Sequence, residues 1–114
     1  MEIKQKYMSK DADGKLVESD ILLEFREIDR CRRSDQKLFY TALGMMQSNE
    51  NGEAVFSPTS IEKMGTTFID ALIVKDGSFT DTDFSLLKSD TIAVFQLNME
   101  IFSKLVAPFL AANL

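Results

Sequence analysis

The chain has no histidine. That removes the commonest general base at neutral pH and the commonest metal ligand. Its single cysteine, Cys31, precludes a disulfide framework within the chain and fits a reducing, intracellular home. With no histidine to activate it, the Cys31 thiol reads as buried or incidental. Glycine-rich phosphate loops, Gly-x-Ser-x-Gly elbows and paired cysteines are all missing. The carboxylates that remain fall in turns and first helical turns, where capping and the helix dipole account for them. These absences argue against an enzyme and against a resident cofactor or metal.

Base is scarcer than acid: 13 Lys and Arg against 18 Asp and Glu give a net charge of −5 and a pI near 4.7. Nucleic acid is a poor partner for such a chain. The balance is uneven, because nine basic and nine acidic residues lie before Leu38 and the whole deficit falls after it. An uninterrupted apolar run of ~18 residues is also missing. Gln96, Asn98, Glu100, Ser103 and Lys104 break up the greasiest stretch, so no membrane span is expected. Met1-Glu2-Ile3-Lys4 does not open a secretory signal. At 114 residues the chain is one domain, 1–114, able to bury roughly 65% of the surface its unfolded form exposes.

What the chain does have is helical periodicity behind a hairpin. Residues 2–8 and 15–28 read as two strands joined by Asp11-Ala12-Asp13-Gly14, with glycine supplying the positive φ of the turn. Calcium is a worse account of that turn, since an EF-hand places glycine sixth and Gly14 is fourth from Asp11. A helical body fills 34–114. Ser34 is the expected N-cap of a helix to about Gln47, and Ser48 to Glu53 is a polar loop. Ser57-Pro58 starts a second helix, striped by Ile61, Met64, Phe68, Ala71 and Leu72 and ended by Asp76-Gly77. Thr80 or Asp81 caps a short third helix, and Ser89 caps a long fourth. Pro108 is expected to bend or end that last helix about four residues upstream. The fold class is therefore α+β and mostly helical: a β-hairpin packed on about four helices, the last long and apolar.

That last helix has two greasy faces. Ile92, Phe95, Met99, Phe102, Val106 and Phe109 form one stripe, and Val94, Leu97, Ile101 and Leu105 form another beside it. A surface helix needs only one, so the second face implies a central position or a docked partner. If the helix stays straight, Phe109, Leu110 and Leu114 project beyond cover; if Pro108 folds the tail back, they join the core. Met45 and Met46, neighbours at the end of the first helix, add an adaptable apolar pair. Arg32 and Arg33, with Arg30, make the one basic cluster, suited to an acidic partner segment or a phosphate, or to pairing with Asp29, Glu27 or Asp35 as a solvated connector. The expected partner-binding set is Met45, Met46, Phe109, Leu110, Leu114, Arg32 and Arg33.

Phe68-Ile69-Asp70-Ala71-Leu72-Ile73, Thr80-Asp81-Thr82-Asp83-Phe84 and Leu87-Lys88-Ser89-Asp90-Thr91-Ile92 follow the hairpin in an order that resembles the small tail assembly chaperones of long-tailed bacteriophages. The resemblance is one of size, acidity and element order, and it spans most of the chain. It implies a non-enzymatic protein in the cytoplasm of the infected cell. Such a protein oligomerises, coats the long helical tape measure protein and helps tail-tube subunits assemble on it. It also commonly has a longer, frameshifted form. The alternative is a small acidic adaptor or inhibitor that binds one folded protein target.

Overall fold

The computed structural model describes residues 1–48, 50–52, 54–75 and 79–113. The fold is α+β and mostly helical, with the hairpin lying on the helices. Its extents of 50 × 32 × 18 Å are those of a flat body about two layers thick.

Strands β1 (Glu2–Lys10) and β2 (Leu16–Glu24) pair antiparallel in one unbroken register, from Glu2↔Glu24 to Lys10↔Leu16. Alternation decides which face is covered: Ile3, Tyr7, Ile21 and Leu23 are buried, and Leu22 between them is exposed. The Asp11 carboxylate accepts from the N–H of Asp13 and of Lys15, both at 2.9 Å, and Gly14 adopts φ 78°. The second strand is shorter than the expected 15–28. After Glu24 the chain turns to pair with a different segment, through the Phe25–Ile73 bridge and the Arg26 N–H to Leu72 carbonyl bond.

Helix α1 spans Arg33–Met45, and Ser34 is not its cap. Arg32 takes that position without a side-chain hydrogen bond, and Ser34 lies inside the first turn. Asp35 is occupied elsewhere. Its fully buried carboxylate accepts from Arg26 Nη1 at 2.5 Å, Arg26 Nη2 at 2.8 Å and the Asp29 N–H at 3.0 Å. Arg26 Nη2 also donates to the Ala71 carbonyl at 2.9 Å, so one ion pair joins the hairpin exit, α1 and the helical body. The helix stops at Met45 because Met46–Ser48 (β3) pairs with Ala54–Phe56 (β4), a two-strand ribbon unforeseen in the sequence. Between them Glu50, Asn51 and Gly52 are exposed, and Asn49 and Glu53 lie outside the described residues.

The single helix expected from Ser57 onward is two, α2 (Pro58–Lys63) and α3 (Thr67–Leu72). Ser57 does cap the first, accepting from the Ser60 N–H at 3.1 Å. Gly65 at φ 52° breaks the run, in the left-handed region that ends helices. The stripe survives the break, with Ile61, Met64, Phe68 and Leu72 all buried. The chain leaves helix at Leu72, and Asp76-Gly77 lies outside the described residues.

Helix α4 (Asp81–Ser89) is capped by Thr80, whose Oγ1 accepts from the Asp83 N–H at 3.1 Å. The next cap is Asp90 and not Ser89. Asp90 Oδ1 accepts from the N–H groups of Ile92 and Ala93, leaving Oδ2 to take the Met8 N–H of β1 at 2.8 Å. The last helix then runs 23 residues, as α5 (Thr91–Ile101), a π turn (Phe102–Val106) and α6 (Ala107–Asn113). Pro108 does not end it. Proline cannot donate to the carbonyl four residues back, Lys104, and the helix widens into the π turn around that gap. Leu105 and Val106 both turn inward there. By length and composition this helix could cross a bilayer. Packing against Leu23, Phe68 and Leu72 in one core cluster accounts for the burial of Leu97, Ile101 and Val106.

The Arg26 guanidinium, then the Asp29 N–H, hold the Asp35 carboxyl below its ordinary 3.8 against the opposing effect of burial. A carboxylate whose folded pKa is lowered stabilises the fold above its unfolded value, and that contribution is lost as pH falls through the folded value. Replacing Asp35→Ala strands a partly buried guanidinium and is expected to cost about 3 kcal/mol at neutral pH in urea denaturation. The gap between variant and parent should narrow as pH falls below the ordinary carboxylate range, and a gap independent of pH would refute the assignment.

Candidate protein-binding surface

The expected contact residues are mostly closed onto the chain itself. Leu110 is 2% exposed and belongs to the core, so it is not available to a partner in the folded chain. Phe109 is half-buried, its ring meeting Phe39 edge-on at 5.6 Å. The tail therefore packs against α1 with the helix continuous through Pro108, so its cover does not come from the expected fold-back. Met45 and Met46 are half-buried against the same core. Leu114 lies outside the described residues.

Arg32 and Arg33 are exposed, at the cap and first position of α1. Among the described residues neither forms an ion pair, and the arginine that holds Asp35 is Arg26. Arg30 lies 5.8 Å from the centre of the Phe39 ring. Cys31 is exposed, and its N–H is bonded to Asp29 Oδ1. The basic cluster is thus a solvated turn leading into a helix.

An open apolar row lies at the other end of the last helix. Ile92 is 71% exposed and Met99 48%, with half-buried Phe95 between them. The spacing of three and four residues sets all three on one side of α5. This is the first half of one of the two stripes; its second half, Phe102 and Val106, is buried. Beside the row lies a cleft of about 440 Å³ whose walls include Ile92, Phe95, Gly65, Thr66, Lys88 and Asn98. That volume is in the range of ligand and side-chain pockets. Gly65 forms the near wall because the α2–α3 break turns the backbone toward α5. Its carbonyl accepts from Asn98 Nδ2 at 2.8 Å, leaving Asn98 Oδ1 buried and without a partner. Lys88 crosses the rim, donating to Asp70 Oδ1 at 3.2 Å and lying 4.6 Å from the centre of the Phe84 ring.

Charge chemistry is located elsewhere. Among the described residues the groups with displaced titration are Tyr7, Arg26 and Asp35. Burial, then the Asp83 carboxylate, push the Tyr7 phenol up, and its hydroxyl lies 3.4 Å from Asp83 Oδ1. Each of these groups ties the hairpin to a helix and none lines the cleft. Among the described residues no three His, Cys, Asp or Glu side chains are grouped to hold a metal ion. No protein-family model, curated protein or solved structure matches the chain.

Sequence reasoning placed Ile92, Phe95 and Met99 on a stripe but did not single them out. The signal was the second greasy face itself, since so short a chain covers only part of it. The two ends of the helix should respond differently to mutation. Leu110→Ala is expected to lose about 3 kcal/mol in chemical denaturation, the usual cost of emptying a packed leucine site. Ile92→Ser should stay within about 0.5 kcal/mol of the parent. Equal losses at the two positions would mean that the exposure is wrongly assigned.

Proposed function

We propose that this chain is a non-enzymatic protein-binding domain of the phage tail assembly chaperone type, holding helical segments of a tape measure protein through apolar contact. The observation that carries the proposal is the row Ile92, Phe95 and Met99 beside its cleft. A row with intervals of three and four residues, flanked by a groove, is the shape that an amphipathic helix fills with its own apolar edge. The groove is largely uncharged along its length, with Glu62 and Lys88 on its rim. It therefore suits a client read by pattern more than by sequence. Several copies on one long client would keep its apolar surface from aggregating until tube subunits assemble there. The element order, acidity and size described above support the same reading.

Blocked amphipathic helical peptides of 21 and 42 residues, leucine at every third or fourth position, test this by calorimetry. The expected result is saturable binding, one copy on the short peptide and two on the long. Phe95→Asp should weaken binding at least about tenfold, the cost of desolvating a charge in an apolar contact. An unchanged affinity in Phe95→Asp refutes the groove. One copy on each peptide favours an adaptor for a single target.

A further inference from the structure

The hairpin has two edges, and they are not equivalent. Met1 and Phe25 exchange both backbone hydrogen bonds, each at 2.8 Å. In an antiparallel ladder such reciprocal pairs alternate with unbonded ones. Given the Glu2↔Glu24 to Lys10↔Leu16 register, the odd-numbered residues bond across the hairpin, and the even-numbered ones aim their N–H and C=O groups outward. On β1 that outer edge is partly closed. Asp90 takes the Met8 N–H, and Gln5 Nε2 donates to the Lys6 carbonyl. At the base of β2 it is closed as well, because Arg26 donates to Leu72 and Val74 donates to Glu24. The sheet thus already accepts a short third strand there. Beyond that point, among the described residues, the outward backbone groups of Leu16, Glu18, Asp20 and Leu22 have no partner.

The side chains along this open edge form a pattern. Leu16 is 68% exposed and Leu22 44%, and Glu18 and Asp20 lie between them on the same face. Lys6 and Lys4 approach these two acids from the β1 side, at 3.9 and 3.7 Å. A carboxylate has acceptor sites for a second partner on its other side. The next strand outward is therefore matched by apolar residues opposite the two leucines and basic residues opposite the two acids. A second copy of β2 does not meet this requirement. Antiparallel self-pairing centred on residue 18, 19 or 20 sets Glu18 against Glu18, Glu18 against Asp20, or Asp20 against Asp20. Like charges directly opposite destabilise a sheet.

We propose that the outer edge of β2, from Leu16 to Leu22, docks an extended partner segment that adds as a strand and carries apolar, basic, basic and apolar residues at alternate positions. The main chain supplies the attachment, and the acidic pair with its flanking leucines supplies the selection. None of these four residues lines the α5 groove, although Glu18 and Ile92 border one neighbouring cleft, so Phe95 and Met99 are the positions that tell the two surfaces apart.

The probe is a blocked seven-residue peptide with leucine at positions one and seven, lysine at three and five, and threonine between, titrated into the full ¹⁵N-labelled chain. The expected result is saturable amide shifts and slowed exchange at Leu16, Glu18, Asp20 and Leu22, with no change at Phe95 or Met99. N-methylation of the peptide amides that face β2 should abolish binding, and methylation of the alternate set should not. Replacing both lysines by glutamate should weaken binding roughly tenfold, from two attractive cross-strand pairs made repulsive. The double variant Glu18→Lys with Asp20→Lys should reverse that preference. The proposal is overturned if no shifts appear, if they map to the α5 groove, or if the acidic peptide binds equally well. It also fails if the free chain is a dimer whose β2 outer amides are already protected.

Discussion

The constraint behind this structure is that its last helix carries more apolar surface than 114 residues can cover. Two greasy stripes run along it. The remaining elements bury one stripe throughout, at Val94, Leu97, Ile101 and Leu105, and the other only in its second half. The π turn makes that division possible. An unbroken α-helix through Phe102–Val106 would leave the proline ring of Pro108 against the preceding turn and shift the phase of everything after it. Widening by one residue brings Leu105, Val106 and Leu110 inward together and sets Phe109 against Phe39. Cover is spent on the C-terminal end, and Ile92, Phe95 and Met99 stay open.

Carboxylates fasten the rest. Asp35 collects the Arg26 fork and the Asp29 amide. Asp90 caps the last helix with one oxygen and holds β1 with the other. Asp11 closes the hairpin turn. In each case a short acidic side chain joins segments that hydrophobic contact alone would leave free to slide. This is why an acidic chain without histidine or disulfides can still set its hairpin at one angle on the helices.

Much of the fold was legible because its signals are local. Asp13-Gly14 between alternating runs, Ser57-Pro58, and Thr80 ahead of an acidic turn each specify a boundary by their own chemistry. The errors fell where a distant partner overrides a local rule. Ser34 and Ser89 are sound caps in isolation, but the adjacent aspartates have tertiary bonds that fix the helix starts differently. Gly65 sits in an unbroken apolar stripe, and a stripe does not reveal that the backbone turns left-handed between two of its members. The β3–β4 ribbon is three residues a side, too short for periodicity. The open surface was half legible. That one stripe must stay open follows from counting; which part of it stays open depends on how α1 meets the tail.

The central claim is that this helix is closed at its C-terminal end and open at its N-terminal end. Methyl-resolved NMR with a soluble nitroxide, on chain labelled at Ile, Leu and Met methyls, tests it directly. Strong broadening at Ile92 and Met99, with sharp signals retained at Ile101 and Leu110, is what the account predicts. Broadening at Leu110, or protection at Ile92 and Met99 in the free chain, would contradict it.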